Sequence, residues 1–323
     1  MCFSNLLQQI INGISLGAVY ALIAVGFSLV YSILSFSNFA HGGFLVVGAY
    51  ICYLLFIGFD FPLFSIPALG SIWAAGAAAL VGAGLIAVLT ERLAYKPIRE
   101  KTNVTLYLLI GSMGVAIAIE NFFVLTIGGR LRALPPDFLQ DFFVILEVFI
   151  GFFGLSSSGG LFELTEGVVV RMSDLLSFIV AIICLGGLQL FLTRTRWGLA
   201  IRAAAHDLRT AGLMGVNVAL LIGIVFFVAG LLAGVAGIFL ATKYTLFPQM
   251  GQITIKAFVG AVIGGLGSLP GAIVGSMILG IAEMLVAGYI SSQMRDLVVF
   301  SMLVVMLLVR PAGIFGKQIS DKV

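Results

Sequence analysis

The stretch "LLQQIINGISLGAVYALIAVGFSLVYSIL", Leu6 to Leu34, decides the fold. It holds no Asp, Glu, Lys or Arg, and it exceeds the ~20 apolar residues needed to cross a hydrocarbon core. Lipid offers no water to unpaired backbone groups, so such a run has to be helical. Further apolar runs follow at 40–59, 63–90, 104–127, 175–193, 217–242, 271–289 and 297–310. A shorter one, "AFVGAVIGGLGSL" at 257–269, reads as a broken or tilted helix. The expectation is an all-α, polytopic transmembrane helical bundle. It has about eight full spans plus a Gly-rich half-span, in one domain over 1–323.

Composition agrees. The chain has 323 residues, of which 61% are hydrophobic and only 10% charged. That is far more apolar surface than a soluble domain buries, where about 25% of residues are charged. The net charge of +3 comes from scattered Lys and Arg without a basic block, which argues against nucleic acid as a partner. Cys2, Cys52 and Cys184 are widely separated and lack the spacing of a disulfide framework or a zinc site, so no metal is expected. The opening "MCFSNLLQQI" lacks the basic start of a secretory signal, so the first run is expected to stay in the mature protein.

Basic residues set the orientation. None occurs before Arg92, and then Arg92, Lys96, Arg99 and Lys101 arrive together in "ERLAYKPIREK". A second cluster, Arg194, Arg196, Arg202 and Arg209, precedes the run at 217, and Arg310, Lys317 and Lys322 close the chain. The positive-inside rule makes these three regions cytoplasmic. The segment 128–174 carries Asp137, Asp141, Glu147, Glu163, Glu166 and Asp174 against Arg130, Arg132 and Arg171, which suits the outer side. Threading the spans puts the N-terminus outside and the C-terminus inside, provided that 257–269 crosses as a short element.

Polar features inside this frame are few. "SFSNFAHGGFLVVGAY", Ser35 to Tyr50, sets Asn38 and His41 between two spans, followed by Gly42 and Gly43. These residues fit a polar solute route through unwound backbone. They fit equally a tight turn whose side chains satisfy freed backbone groups. Gly264, Gly265 and Gly267, ahead of a break at Pro270, repeat the theme. Glu120 and Glu283 fall inside spans toward the outer ends, where snorkelling competes with solute contact. No Walker motif, nucleophile–base pair or metal-spaced cluster is present, so no catalytic residue is expected and the chain does not read as an enzyme.

The cytoplasmic segment 194–216 contains "RAAAHDLRTAGLMGVN", Arg202 to Asn217. Asp207 is placed to N-cap a short helix over Leu208 to Met214, with Gly215 as its C-cap. Ala203, Ala204, Ala205, Ala211 and Gly212 leave a smooth face for close packing by another protein. The alternative is an ordinary solvated loop, though loops more commonly use Ser, Asn and Pro.

The combination of "NGISLGAVYALIAVGFSLVYSILSFSNFAHGGFLVVGAY", "ERLAYKPIR", "RTRWGLAIRAAAHDLRTAGLMGVN" and "KAFVGAVIGGLGSLPGAIVGSMILGIAE" resembles the inner-membrane permeases of branched-chain amino-acid ABC importers, the LivH type. The resemblance implies a multi-pass protein of the bacterial inner membrane. It implies that Arg202, Ala204, Asp207, Arg209, Gly212 and Gly215 belong to a coupling helix seated in a groove of a cytoplasmic ATPase. It implies a LivM-type second permease, two ATPase subunits that hold ATP and Mg, and a periplasmic solute-binding protein. No cofactor would be bound by this chain, and the cargo would be a branched-chain or other neutral amino acid. Relatives importing urea, short amides or sugars share the pattern. A lone channel would need no docking surface, and a secondary transporter would normally place ion-coupling carboxylates at mid-membrane.

Overall fold

The computed structural model describes residues 2–60, 65–66, 68, 71–101, 104–140, 142–144, 157–158, 161–165 and 168–316. Asp141, Glu147, Glu166, Lys317 and Lys322 lie outside the described residues. Helix α1 (Cys2–Leu34) takes up the run that opens the sequence. At 1.5 Å per residue it is about 50 Å long, against a hydrocarbon thickness of about 30 Å. One end therefore stands clear of the apolar layer, and Gln8, Gln9 and Asn12 lie toward that end.

The remaining apolar runs become α2 (His41–Ile57), α3 (Ile72–Thr90), α4 (Thr105–Ile127), α5 (Met172–Arg194), α8 (Val218–Lys243), α10 (Leu269–Tyr289) and α11 (Arg295–Val309). Between α5 and α8 lie two short polar helices, α6 (Arg196–His206) and α7 (Leu208–Leu213). Seven helices among the described residues are long and apolar enough to cross a membrane, and α2, with 17 residues, is shorter. The stretch near 257–269 is a 12-residue helix, α9 (Ile253–Gly264), and a turn at 265–268. Gly265 takes φ +110 there, a conformation open to Gly and costly for other residues. Pro270 starts α10 in the first turn, where its missing N–H costs nothing.

Close helix contacts rest on glycine. A Cβ on Gly13 would lie 2.6 Å from Ile281 Cα, and one on Gly280 would lie 2.5 Å from Gly17 Cα. Helices α1 and α10 thus run antiparallel at backbone contact, the small-residue packing that drives association where lipid is as apolar as Leu. Gly280→Val is expected to force the pair apart at a cost of roughly 1–3 kcal/mol or more. The check is the yield of monodisperse protein after detergent extraction, which should fall.

The antiparallel contacts sort the helix ends. The turn after α9 lies beside Tyr31 and Ser32 at the end of α1 and against the chain's final described residues. Ile314 and Phe315 donate to the Ile263 and Gly264 carbonyls, satisfying the last turn of α9. The same end carries the basic clusters at 92–101 and 194–209 and Arg310, in keeping with the orientation read from sequence. Helix α3 continues there through a π-helical turn (Glu91–Tyr95) into a short helix (Lys96–Lys101). Buried Glu91 is held by Arg99 at 3.0 Å.

The opposite end holds the strands, which the sequence did not announce. Phe59–Asp60 (β1) pairs with Ser65–Ile66 (β2). Ser157–Ser158 (β3), Leu161–Thr165 (β4) and Val168–Arg171 (β5) form an antiparallel sheet leading into α5.

Candidate functional site

The segment 194–216, at the end that carries the basic clusters, folds as its capping residues dictate. Thr195 caps α6 by accepting from the Gly198 N–H at 3.0 Å. Asp207 accepts from the N–H groups of Arg209 at 2.9 Å and Thr210 at 3.1 Å, and from the Thr210 hydroxyl. The Thr210 hydroxyl and backbone N–H bonds hold its carboxyl below the usual carboxylate range, so the cap is ionised at neutral pH. Helix α7 ends in a Schellman motif: Gly215 N–H bonds the Gly212 carbonyl, Val216 N–H bonds the Ala211 carbonyl, and Gly215 has φ +91.

The two faces of this segment differ from the smooth surface expected. Ala204 and Ala211 are buried against the rest of the chain, and Gly212 is half-buried beside Val218. Arg202, Ala203, Ala205, Arg209 and Thr210 face outward. Beyond them Leu213 and Met214 are 81% and 82% exposed, two large apolar side chains at the tip. The alanines set how closely α6 and α7 lie on the bundle, and the exposed knobs are a different pair of residues. Apolar residues sitting between a helix and its αL cap were the available signal.

Asn38, His41, Gly42 and Gly43 are all buried. Asn38 Oδ1 accepts from the Tyr95 hydroxyl at 2.7 Å and the Ala40 N–H at 3.2 Å, tying the α1–α2 turn to the π-helical turn after α3. The His41 ring packs edge-on against Phe27 and Phe44, and a Cβ on Gly26 would touch it at 2.8 Å. Gly42 meets Gly251 backbone, and Gly43 meets Ile119. Gly264 lies against Gly271, Gly265 against Gly316, and half-buried Gly267 near Tyr31. The geometry fits the turn reading for Asn38, which accepts from the Ala40 N–H, and close packing for His41 and the glycines. Asn38→Leu leaves the buried Tyr95 hydroxyl without its acceptor, a cost of about 1–3 kcal/mol. The folded fraction, measured by thermal unfolding in detergent, is therefore expected to fall along with any change in transport.

Glu283 is 1% exposed and does not snorkel. Its carboxylate accepts from Lys256 Nζ at 2.9 Å and from the Tyr20 hydroxyl at 3.0 Å. Lys256 also reaches Asp296 at 2.7 Å. Three helices, α1, α9 and α10, are thereby pinned to the start of α11. Glu120 is half-buried on α4, close to Gly251.

At the end opposite the basic clusters, a cavity of about 470 Å³ opens between α1, α5, α8, α10 and α11. Gln8, Asn12, Arg171, Asp174, Lys243, Tyr244 and Arg295 supply its polar wall. Lys243 Nζ donates to Asp174 Oδ1 at 2.5 Å and to Ser15 Oγ at 2.6 Å. Gln8 exchanges two hydrogen bonds with the Val169 backbone, at 2.8 and 2.9 Å, and so closes the rim against β5. None of the glycines or polar residues of the two Gly-rich elements is part of this wall. Sequence reading missed the cavity because its residues come from five helices and one strand. Each is an isolated polar group near the end of an apolar run.

A bundle of apolar helices with glycine-mediated crossings, a capped helical projection at the basic end and a polar cavity at the other is the build of a membrane permease. Residues 9–307 match the family model described as branched-chain amino acid transport system / permease component, and the chain belongs to that family. It is 37% identical, over 98% of both chains, to the high-affinity branched-chain amino acid transport system permease protein BraD of Pseudomonas aeruginosa. It is 36% identical, over 99% of both chains, to the corresponding LivH proteins of Escherichia coli (strain K12) and Salmonella typhimurium. No solved structure matches the chain.

Proposed function

We infer that the chain is one of two transmembrane subunits of an ATP-driven importer of branched-chain or other neutral amino acids, seated in the bacterial inner membrane. Its partners are a LivM-type permease, two cytoplasmic ATPases that hold ATP and Mg, and a periplasmic binding protein that delivers the amino acid. The chain itself does no ATP chemistry. The observation that carries this reading is the α6–α7 projection. A helix fixed by Asp207 and Gly215, backed by buried alanines and tipped by exposed Leu213 and Met214, is shaped to enter a groove in another protein. The reading is supported by full-length similarity to proteins named for branched-chain amino-acid transport. A cysteine at Met214, in a chain whose native cysteines are replaced by serine, should cross-link to a co-purifying ATPase subunit. Purification without any ATPase, or cross-linking only between permeases, would count against it.

A further inference from the structure

The cavity at the end opposite the basic clusters has an unbalanced wall. Among the described residues three cations line it, Arg171, Lys243 and Arg295, against the single carboxylate of Asp174. Lys243 and Asp174 neutralise each other at 2.5 Å, which leaves the two guanidinium groups without a carboxylate among the described lining residues. Asp296, next in sequence to Arg295, is engaged with Lys256, and Glu283 with Lys256 and Tyr20. Arg295 Nε is buried and has no hydrogen-bond partner among the described residues. A buried donor left without an acceptor is costly, and a planar guanidinium matches a carboxylate with two parallel bonds. Leu16 and Met284 line the same space with apolar surface. Its volume falls within the roughly 300–1,000 Å³ of small-molecule pockets.

We propose that this cavity receives an aliphatic α-amino acid on its way into the permease. Arg295 and Arg171 take the carboxylate, Leu16 and Met284 take the side chain, and Asn12 and Tyr244 offer oxygen atoms to the ammonium group. The proposal rests on the amino-acid importer reading and adds the means of selection: urea, short amides and sugars carry no carboxylate to meet the two arginines. Arg171 in the lining is exposed, so the carboxylate of an incoming amino acid meets positive charge before it is desolvated.

The test uses the full chain with Cys2, Cys52 and Cys184 replaced by serine and Val169→Cys in the wall, at a lining residue given no part in binding, in membrane sheets open on both faces. Relative to free cysteine, an anionic methanethiosulfonate should label this position faster than a cationic one. Millimolar L-leucine should slow labelling several-fold, whereas leucinamide and urea should not. Arg295→Gln should abolish the protection and Arg295→Lys should restore part of it. Should Arg295→Gln fail to fold, exposed Arg171→Gln provides the second variant, with weakened protection expected. Equal protection by leucine and leucinamide, or protection indifferent to both arginines, would overturn the site. The labelling needs no ATPase, so it is separable from the importer reading: protection without leucine uptake by the assembled complex overturns only that reading, and uptake without protection overturns only the site.

Discussion

Replacing Leu213 and Met214 together by Asp is expected to abolish transport while leaving the permease inserted and folded. Both side chains are more than four-fifths exposed, so the bundle loses no packing when they become charged. An ATPase groove that accepts two apolar side chains would instead have to desolvate two carboxylates. Truncation of interface anchors costs about 2 kcal/mol or more, or roughly 30-fold in association, and an introduced charge adds to that. Solute-stimulated ATP hydrolysis and uptake should fall together, with membrane-embedded permease unchanged on a blot. Arg209→Ala should be mild, because an exposed ion pair contributes about 0–1 kcal/mol. Ala204→Arg should behave differently from the tip variant. Ala204 is buried at 2% exposure, so the change drives bulk between α6 and the bundle and lowers folded yield. If the Asp pair left stimulated hydrolysis at the parental level, the tip of α7 would not be the docking surface.

Glu283→Ala is expected to be the most destabilising of the single substitutions considered. The change removes the acceptor for both Lys256 and Tyr20 inside the bundle, leaving a cation and a hydroxyl without their partner. Breaking a buried pair in this way costs about 3–5 kcal/mol. Lys256 is 21% exposed and keeps Asp296, which places the loss toward the lower end. Glu283→Gln keeps the shape and an acceptor for Tyr20 and should lose less. Asp296→Asn should be milder still, because Asp296 is 68% exposed and its attraction is screened. Unfolding midpoints of the three variants in detergent give the ranking. A Glu283→Ala protein as stable as the parent would show that the Lys256–Glu283–Tyr20 cluster does not pin the helices.

The ease of reading the sequence differed from element to element for physical reasons. Membrane helices declare themselves because lipid demands long apolar runs, and α1, α4, α8 and α11 begin and end within a few residues of the runs that foretold them. The α7 caps were legible because Asp207 and Gly215 act on backbone a few residues away. The side on which Ala204 and Ala211 lie was not legible, since a small residue suits an internal contact and a docking face equally well. For Asn38 and His41 the sequence left a solute route and a tight turn equally open, because a polar group in an apolar stretch suits both. Their burial follows from a third helix, where Tyr95 sits in a π turn that no local pattern marks. The fate of Glu283 depended on Lys256, which lies 27 residues away, brought near by the α9–α10 turn. The cavity depended on longer separations still, between Gln8 and Val169 and between Asp174 and Lys243.

Uptake of labelled leucine is the decisive measurement of whether this permease imports amino acids at the expense of ATP. The chain would be expressed with its second permease, ATPases and binding protein in cells that lack their own branched-chain amino-acid uptake. Leucine should accumulate against its gradient, and the accumulation should be lost when the phosphate-binding lysine of the ATPase is replaced by alanine. Leucine uptake that survives the loss of ATP hydrolysis, or an assembled complex that imports urea or a sugar but not leucine, would contradict the importer reading.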